Sequence, residues 1–229
     1  MNSISAYFKS SIGRKQVVAT TGIFLVLFVV AHLIGNLTFF LGPDVFNAYA
    51  KKLAHLRPAL NVAEAGLLII FLVHMCTTYT LVWENIKARQ NKYSTYKPVG
   101  KRSLATRLMP FTGTILLAYI IWHLIDFTFA EHHGVNATLN GTDLGLYGVV
   151  YNAFSNPIHS VLYVIAMMAL SLHLSHGIQS IFQTFGLHGE QITPFAKNLS
   201  DGLALFICVM FSAIPMYAYF HATVTGLAK

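Results

Sequence analysis

Two histidines stand at matching places in two similar apolar segments of this chain. The segments read TGIFLVLFVVAHL, residues 21–33, and TGTILLAYIIWHL, residues 112–124. Each has Thr-Gly, nine further residues and then His-Leu, which gives His32 and His123 the same spacing. An ionisable side chain at membrane depth is costly and by default indicates a function. Because an imidazole can bind a metal or relay a proton, these two residues are the first candidates for chemistry.

The composition indicates that these segments belong to a membrane protein. Of the 229 residues, 55% are hydrophobic and 10% are charged, whereas a soluble domain carries about 25% charged residues. Five segments are long enough to cross a bilayer. We predict an all-α integral membrane protein, a single domain over residues 1–229. Its five transmembrane helices are predicted near 17–40, 60–83, 105–130, 157–182 and 202–225.

The distribution of Lys and Arg predicts how the chain is oriented. The N-terminal segment and the second connection, roughly 84–107, are basic, whereas the third connection, about 131–156, has no Lys or Arg. The positive-inside rule therefore places the N-terminus in the cytoplasm, and it explains most of the net charge of +7 without a nucleic-acid partner. The first connection contains Lys51, Lys52 and Arg57, which argue weakly against this orientation. Its pattern VFNAYAKKLAHL predicts a short amphipathic segment at the lipid interface.

Helices one and three run outward in this orientation, and their histidines share one depth. His32 is 17 residues beyond Lys15, and His123 is 16 residues beyond Arg107. At 1.5 Å per residue, both imidazoles lie about 25 Å from the inner charged boundary. The two histidines are therefore predicted at one level near the outer side.

Helices two and four run inward, and their histidines lie at a second depth. His74 is 10 residues before Glu84, and His173 is 10 residues before Gln183, or about 15 Å from the inner boundary. Two neutral imidazoles facing each other across a bundle suit the two axial positions of a haem iron. Two depths thus predict two haems. His176, one turn beyond His173, is expected to hydrogen-bond nearby or to neighbour the inner haem.

The Thr-Gly steps of the two repeats are predicted near the inner level. Eleven residues turn an α-helix by about 1100°, so each threonine shares a face with the histidine that follows it. Glycine there would let a macrocycle or another helix approach closely; a plain helix-packing step is the alternative. The residues concerned are Thr21, Gly22, Thr112 and Gly113.

Four motifs together resemble a known family. TTGIFLVLFVVAHLIGNL, EAGLLIIFLVH, IIWHLIDF and LHLSHG resemble the single-chain, five-helix, dihaem cytochrome b subunit of succinate:quinone oxidoreductases. The resemblance extends from about Lys15 to Phe182, and more weakly through helix five. It implies that His32 and His123 ligate the outer haem, and His74 and His173 the inner one. On helices two and four, which run inward, the family often has glycine four residues after the ligand. Gly177 fits this pattern, and Thr78 departs from it.

The resemblance also implies a function. Such a chain anchors a flavoprotein and an iron–sulfur subunit on the cytoplasmic face of the bacterial cytoplasmic membrane. It passes electrons between them and a membrane quinone, with menaquinone favoured, through two b haems. Whether the isolated chain is an enzyme stays open, because the flavin belongs to another subunit. Basic residues near the inner side are candidates to pair with haem propionates or the iron–sulfur partner: Arg14, Lys97, Arg102 and Arg107.

Two carboxylates are candidates for proton transfer to a quinone, whose chemistry moves protons with electrons. Glu64 lies ten residues before His74, and Asp126 lies one turn beyond His123. Glu64 could instead pair with Arg57, and Asp126 could instead orient an imidazole. If Glu64 has the quinone role, Glu64→Gln abolishes quinone-linked turnover with both haems in place. The remaining histidines are expected to be interfacial or solvated: His55, His132, His133, His159, His188 and His221.

Two other classes of protein remain open at this stage. A dihaem cytochrome b of another respiratory oxidoreductase shares four buried histidines, and a proton-coupled transporter uses histidines as relays. The sequence has no CxxCH motif for covalent haem attachment and no cysteine set for an iron–sulfur cluster. It also has no glycine-rich nucleotide-binding motif.

Overall fold

The structure is a computed structural model that describes residues 3–88 and 104–225. Eight α-helices lie within these residues: α1 (Ser3–Lys9), α2 (Ser11–Leu37), α3 (Pro43–His55), α4 (Arg57–Lys87), α5 (Leu104–His123), α6 (Gly145–Ser155), α7 (Pro157–Thr184) and α8 (Ile192–Val224). Two short strands, β1 (Thr138–Leu139) and β2 (Thr142–Asp143), pair antiparallel between α5 and α6.

Five of these helices are long and apolar enough to cross a membrane, as predicted. The spans are Ser11–Leu41, Arg57–Lys87, Arg107–Thr128, Pro157–Thr184 and Ile192–Val224. The five-helix, all-α architecture is thus confirmed for the described residues. The helices start earlier than predicted in the first, second and fifth spans, by up to ten residues for the helix that begins at Ile192.

Polar capping explains why two helices begin where they do. The Ser10 side chain accepts a hydrogen bond from the Gly13 amide at 3.0 Å, which starts α2 before the apolar run begins. The Asn156 side chain accepts from the Ile158 and His159 amides at 2.9 and 3.2 Å and starts α7. Each cap satisfies amide groups that have no partner in the first turn of a helix.

Helix α7 is the centre of the bundle and packs against α2, α5 and α8. One core cluster joins α2, α7 and α8 and consists of Leu33, Leu174, Ile178, Ala204 and Ile207. Helix α4, in contrast, has no buried residue, and its Val62 is 74% exposed. Apolar side chains on the outside of a helix bundle are what a lipid environment requires, because the bilayer core is itself apolar.

The first connection contains α3, where an amphipathic segment was predicted. Phe46 on this helix is buried in an aromatic cluster, while Lys51 and Lys52 are exposed. The helix therefore has one face in the protein and one basic face outside it, as an interfacial segment requires.

The third connection, for which no secondary structure was predicted, contains a β-hairpin and a helix. Asn140 and Gly141 both have positive φ, 51° and 78°, in the two-residue turn that joins β1 to β2, where Asn-Gly is the favoured pair. Hydrogen bonds from the Gly145 and Gly134 amides, together with His133, hold the pKa of Asp143 below its usual value. Helix α6 follows and buries Tyr151 and Phe154 against α8 and α7.

Gly148 is the position where α6 contacts this connection most closely. A Cβ atom at Gly148 would overlap the backbone carbonyl of Ala137, whereas a Cβ at Gly66 on α4 would meet no atom within 4 Å. We expect Gly148→Ala to destabilise the protein by about 1–3 kcal/mol, because backbone must move to admit the methyl group. Thermal unfolding of the detergent-purified protein measures this, with Gly66→Ala as the control; equal midpoints for the two variants would contradict it.

Candidate functional site

The outer pair consists of His32 on α2 and His123 at the end of α5. Their ring centroids are 5.8 Å apart, and the ring planes are nearly perpendicular at 88°. The Nδ1 atom of His123 is buried and has no hydrogen-bond partner. Aromatic rings surround the pair, with Phe28 stacked on His32 at 5.4 Å and Phe127 against His123 at 5.3 Å. The two imidazoles therefore lie close together in an aromatic environment.

The helix geometry changes directly after His123. Residues Leu124–Thr128 form a π-helical turn, and the Phe129 amide donates to the Leu124 carbonyl at 2.9 Å. Such turns insert one extra residue into a helix and are frequent at functional sites. The turn contains Asp126, so its side chain does not point where a continuous α-helix would place it.

The inner pair consists of His74 on α4 and His173 on α7. Each imidazole lies beside the threonine of a Thr-Gly step on a different helix. The Thr21 hydroxyl oxygen is 3.0 Å from His74 Nδ1, and the Thr112 hydroxyl oxygen is 3.2 Å from His173 Nδ1. Helices α2 and α4 thus meet at one of these imidazoles, and α5 and α7 meet at the other.

The glycines of the two Thr-Gly steps pack against the same imidazoles. A Cβ atom at Gly22 would lie 3.7 Å from His74 Cε1, and one at Gly113 would lie 3.5 Å from His173 Cε1. Both distances are ordinary van der Waals contacts, so glycine leaves room for a methyl group at each place. The two glycines therefore lie beside the inner imidazoles with space for one methyl group between them.

The neighbours of the inner pair differ between the two returning helices. His176 is 3.1 Å from the Ser180 hydroxyl through its Nε2 atom, one turn along the same helix. A Cβ atom at Gly177 would meet nothing within 4 Å, so this chain leaves the space beside the α7 backbone open there. On α4, the Thr78 hydroxyl donates to the His74 carbonyl and is satisfied within its own helix.

Arg14, one of the propionate candidates, forms an ion pair with Glu84. Its Nη1 atom is 2.6 Å from Glu84 Oε1, and the two side chains are 20% and 47% exposed. The pair ties the start of α2 to the end of α4. Arg107 lies at the start of the third span, and Lys97 and Arg102 lie outside the described residues.

Asp126 lies in a partly buried polar cluster that the sequence did not predict. The Tyr163 hydroxyl donates to Asp126 Oδ2 at 2.6 Å. His159 Nε2 is 2.9 Å from the same oxygen, an ion-pair distance without the alignment of a hydrogen bond. The Asp126 and His159 side chains are only 15% and 21% exposed, and His159 stacks on Tyr163 at 5.0 Å. His159 was expected to be interfacial or solvated; the structure rules out the solvated alternative, because three aromatic side chains and a carboxylate surround its ring.

Glu64 does not join either histidine pair in the structure. Its carboxylate is 3.0 Å from Arg57 Nη1, and the two side chains are 55% and 57% exposed. Of the other histidines, His132 is half-buried and contacts the Phe127 carbonyl at 2.8 Å. The rest are exposed, as expected: His55, His133, His188 and His221.

The residues present fit a haem iron at the outer pair. A metal ion lies about 2 Å from a bound imidazole nitrogen, so two imidazoles on opposite sides of one ion have centroids about 6 Å apart. The distance of 5.8 Å between His32 and His123 matches this separation. Within residues 3–88 and 104–225, no three metal-ligating side chains cluster. Paired imidazoles therefore suit a metal whose other donors come from a macrocycle.

The chain is similar to known membrane subunits. A family described as succinate dehydrogenase/fumarate reductase transmembrane subunit matches residues 84–214, which is more than half of the chain. The succinate dehydrogenase cytochrome b558 subunit of Bacillus subtilis (strain 168) is 24% identical over 194 residues, covering 85% of this chain and 88% of that protein. No solved structure matches the chain.

The matched region contains α5 and α7, with His123 and His173, as well as the whole polar cluster of Asp126, Tyr163 and His159. Together with five apolar helices, the two similarities identify a multi-pass protein of a bacterial cytoplasmic membrane. The chain belongs to the succinate dehydrogenase/fumarate reductase transmembrane subunit family.

Proposed function

We propose that this chain carries electrons between an iron–sulfur subunit and a membrane quinone through two b haems. The observation that supports this most is the outer pair, in which the ring centroids of two imidazoles from different helices are 5.8 Å apart. As a transmembrane subunit of this family, the chain associates with the flavoprotein and iron–sulfur subunits. The name of the Bacillus subtilis relative, a cytochrome b558 subunit, supports b haem as the cofactor.

Four histidines would hold the two haems, one pair at each level. Because Thr21 contacts His74 and lies eleven residues before His32 on the same helix, the levels are separated by about 16 Å along α2. The same eleven residues separate Thr112 from His123 on α5. A b haem held by two of these imidazoles would supply a one-electron centre, and the two histidines would leave no iron position open for substrate. The residues thus favour electron transfer over catalysis at iron.

The inner level is proposed to face the cytoplasm and the iron–sulfur subunit. The basic N-terminal segment and second connection support this through the positive-inside rule. Arg14 and Glu84 lie on that side, at the ends of α2 and α4. Arg14 uses part of its hydrogen-bonding capacity on Glu84, so a second acceptor such as a haem propionate would share the guanidinium.

The quinone is proposed to exchange protons at the outer level through Asp126. Its carboxylate, Tyr163 and His159 form a continuous polar group within one turn of His123. A carboxylate, a phenol and an imidazole can each accept or donate a proton. Glu64 lacks such a setting, because its carboxylate pairs with exposed Arg57. Menaquinone is the proposed species, by the resemblance of the motifs.

The number and type of haems can be measured directly. We expect the purified complex to contain two haems per copy of this chain, with b-type bands in a reduced-minus-oxidised spectrum. A potentiometric titration should show two reduction steps, because the two pairs have different surroundings. Succinate should reduce haem in the complex, and removal of the iron–sulfur subunit should abolish that reduction. A single haem per chain, or no b-type bands, would overturn the proposal.

A further inference from the structure

The inner pair has a feature that occurs twice and that the outer pair lacks. A threonine hydroxyl lies within hydrogen-bond distance of imidazole Nδ1 at His74 and again at His173, at 3.0 and 3.2 Å. The threonines come from different helices, α2 and α5, yet occupy the same place in the repeated Thr-Gly motif. At the outer pair, in contrast, His123 Nδ1 is buried without a hydrogen-bond partner.

The direction of these hydrogen bonds follows from the single proton of each hydroxyl group. The Thr21 hydroxyl has backbone carbonyls of its own helix at 2.7 and 3.1 Å, those of Val17 and Val18. The Thr112 hydroxyl has the carbonyls of Leu108 and Met109, both at 3.1 Å. A carbonyl can only accept, so each hydroxyl proton is directed along its own helix. Each hydroxyl oxygen then accepts from the imidazole.

An imidazole that donates from Nδ1 has its lone pair on Nε2. The same reasoning applies to both imidazoles, because each has its Nδ1 atom beside a threonine hydroxyl whose proton is already directed to its own helix. The protein thus selects one of two tautomers before any metal binds. In metal sites, the group that hydrogen-bonds the distant ring nitrogen sets both tautomer and ring orientation.

We propose that Thr21 and Thr112 are positioning residues that hold His74 and His173 with Nε2 free for the inner iron. This role rests on the proposed function, since it presupposes a haem at the inner pair. Each outward-running helix then serves both levels: α2 provides the ligand His32 and the threonine for His74, and α5 provides the ligand His123 and the threonine for His173. The eleven-residue spacing of the motif is what places both groups on one face.

The chemical consequence is an asymmetry between the two haem sites. An Nδ1–H that donates to an oxygen makes the imidazole a more basic ligand, which favours the ferric state. Removing the accepting hydroxyl should therefore raise the midpoint potential of the inner haem and leave that of the outer haem unchanged. A purely structural role for the threonine would not select one haem or one direction of shift.

Valine and serine substitutions of the two threonines test the proposal in the purified complex. Thr21→Val and Thr112→Val remove the acceptor, whereas Thr21→Ser and Thr112→Ser retain it. We expect each valine variant to shift one midpoint potential upward, to change the low-spin ferric resonance of that same haem, and to leave the second haem as in the parent. The serine variants should behave like the parent. Thr80→Val is the matched control, because the exposed Thr80 hydroxyl donates to the Cys76 carbonyl of its own helix at 2.8 Å.

The outcomes separate this role from the proposed function. Loss of one haem in a valine variant, with recovery in the serine variant, supports the role as fully as a shifted potential. Valine variants with parental potentials and spectra would overturn it, and so would serine variants as altered as the valine ones. A parent complex that holds fewer than two haems would overturn the proposed function instead, and that result is visible before any threonine is changed.

Discussion

His123→Leu is expected to remove one haem from the purified complex and to leave the other in place. Leucine fills a similar volume but has no nitrogen for a metal, and His32 alone cannot supply two axial positions. Because even partners of metal ligands change affinity by about 10–100-fold, loss of a ligand should lower haem affinity by more than about 100-fold. The haem-to-chain ratio measures this and should fall from two to one.

The pairing is tested by double variants. His32→Leu combined with His123→Leu should lose no more haem than either single variant, because both residues serve one site. His123→Leu combined with His173→Leu should lose both haems, because these residues belong to different pairs. His188→Leu is the control, since His188 is exposed and lies in the connection after α7. A double variant at His123 and His173 that retains one intact haem would show that the pairs are wrongly assigned.

Hydrophobic length sufficed to predict the five spans, but it placed several helix ends too far inward. Helix α8 begins at Ile192, and its first turns include the ion pair of Lys197 with Asp201 at 2.6 Å. These charged residues are compatible with a helix but lower the hydropathy of its first turns. A prediction from apolar runs alone therefore places the start of α8 ten residues too late. Similarly, Ser10 caps α2 among polar residues. Backbone hydrogen bonding continues where the apolar signal has ended.

Helix α6 was missed for a different reason. Its buried residues Tyr147, Val150, Tyr151 and Phe154 recur at intervals of three and four, which is the pattern of one helix face. The segment is too short to cross a bilayer, however, and lies in a connection defined by its lack of Lys and Arg. The intervals of three and four between these apolar residues are by themselves sufficient to predict a helix packed on the bundle.

Counting residues from the helix ends was enough to predict the histidine pairs, but it could not predict which side chains contact these histidines. Spacing places Thr21 on the face of His32, but it does not reveal that α4 packs there and brings His74, 53 residues away, against the hydroxyl. The enclosure of His159, which was expected to be interfacial or solvated, was missed for a related reason. Its position two residues into α7 indicated a helix mouth, while the π turn that redirects Asp126 toward it leaves no periodic mark in the sequence.

The structure changes which carboxylate is expected to matter for the quinone. From sequence alone, Glu64→Gln was the variant expected to abolish quinone-linked turnover. In the structure Glu64 is more than half exposed and pairs with Arg57, whereas Asp126 is enclosed with Tyr163 and His159 beside the outer pair. A buried carboxylate with two ionisable partners can exchange protons with a bound quinone while excluding water. The larger effect is therefore now expected at Asp126.

Asp126→Asn is expected to reduce succinate–quinone turnover by about 10²- to 10⁴-fold, the usual contribution of general acid–base catalysis. Asparagine has nearly the same shape but cannot accept a proton, so both haems and their reduction by succinate should remain. Tyr163→Phe, which removes the hydroxyl that donates to Asp126 at 2.6 Å, should cause a smaller loss. Glu64→Gln is the matched control and should change turnover less than about threefold. Full turnover in Asp126→Asn would exclude Asp126 from the quinone role, because the partly buried cluster would then carry no proton that the reaction needs. A loss confined to Glu64→Gln would assign that role to the exposed carboxylate of Glu64.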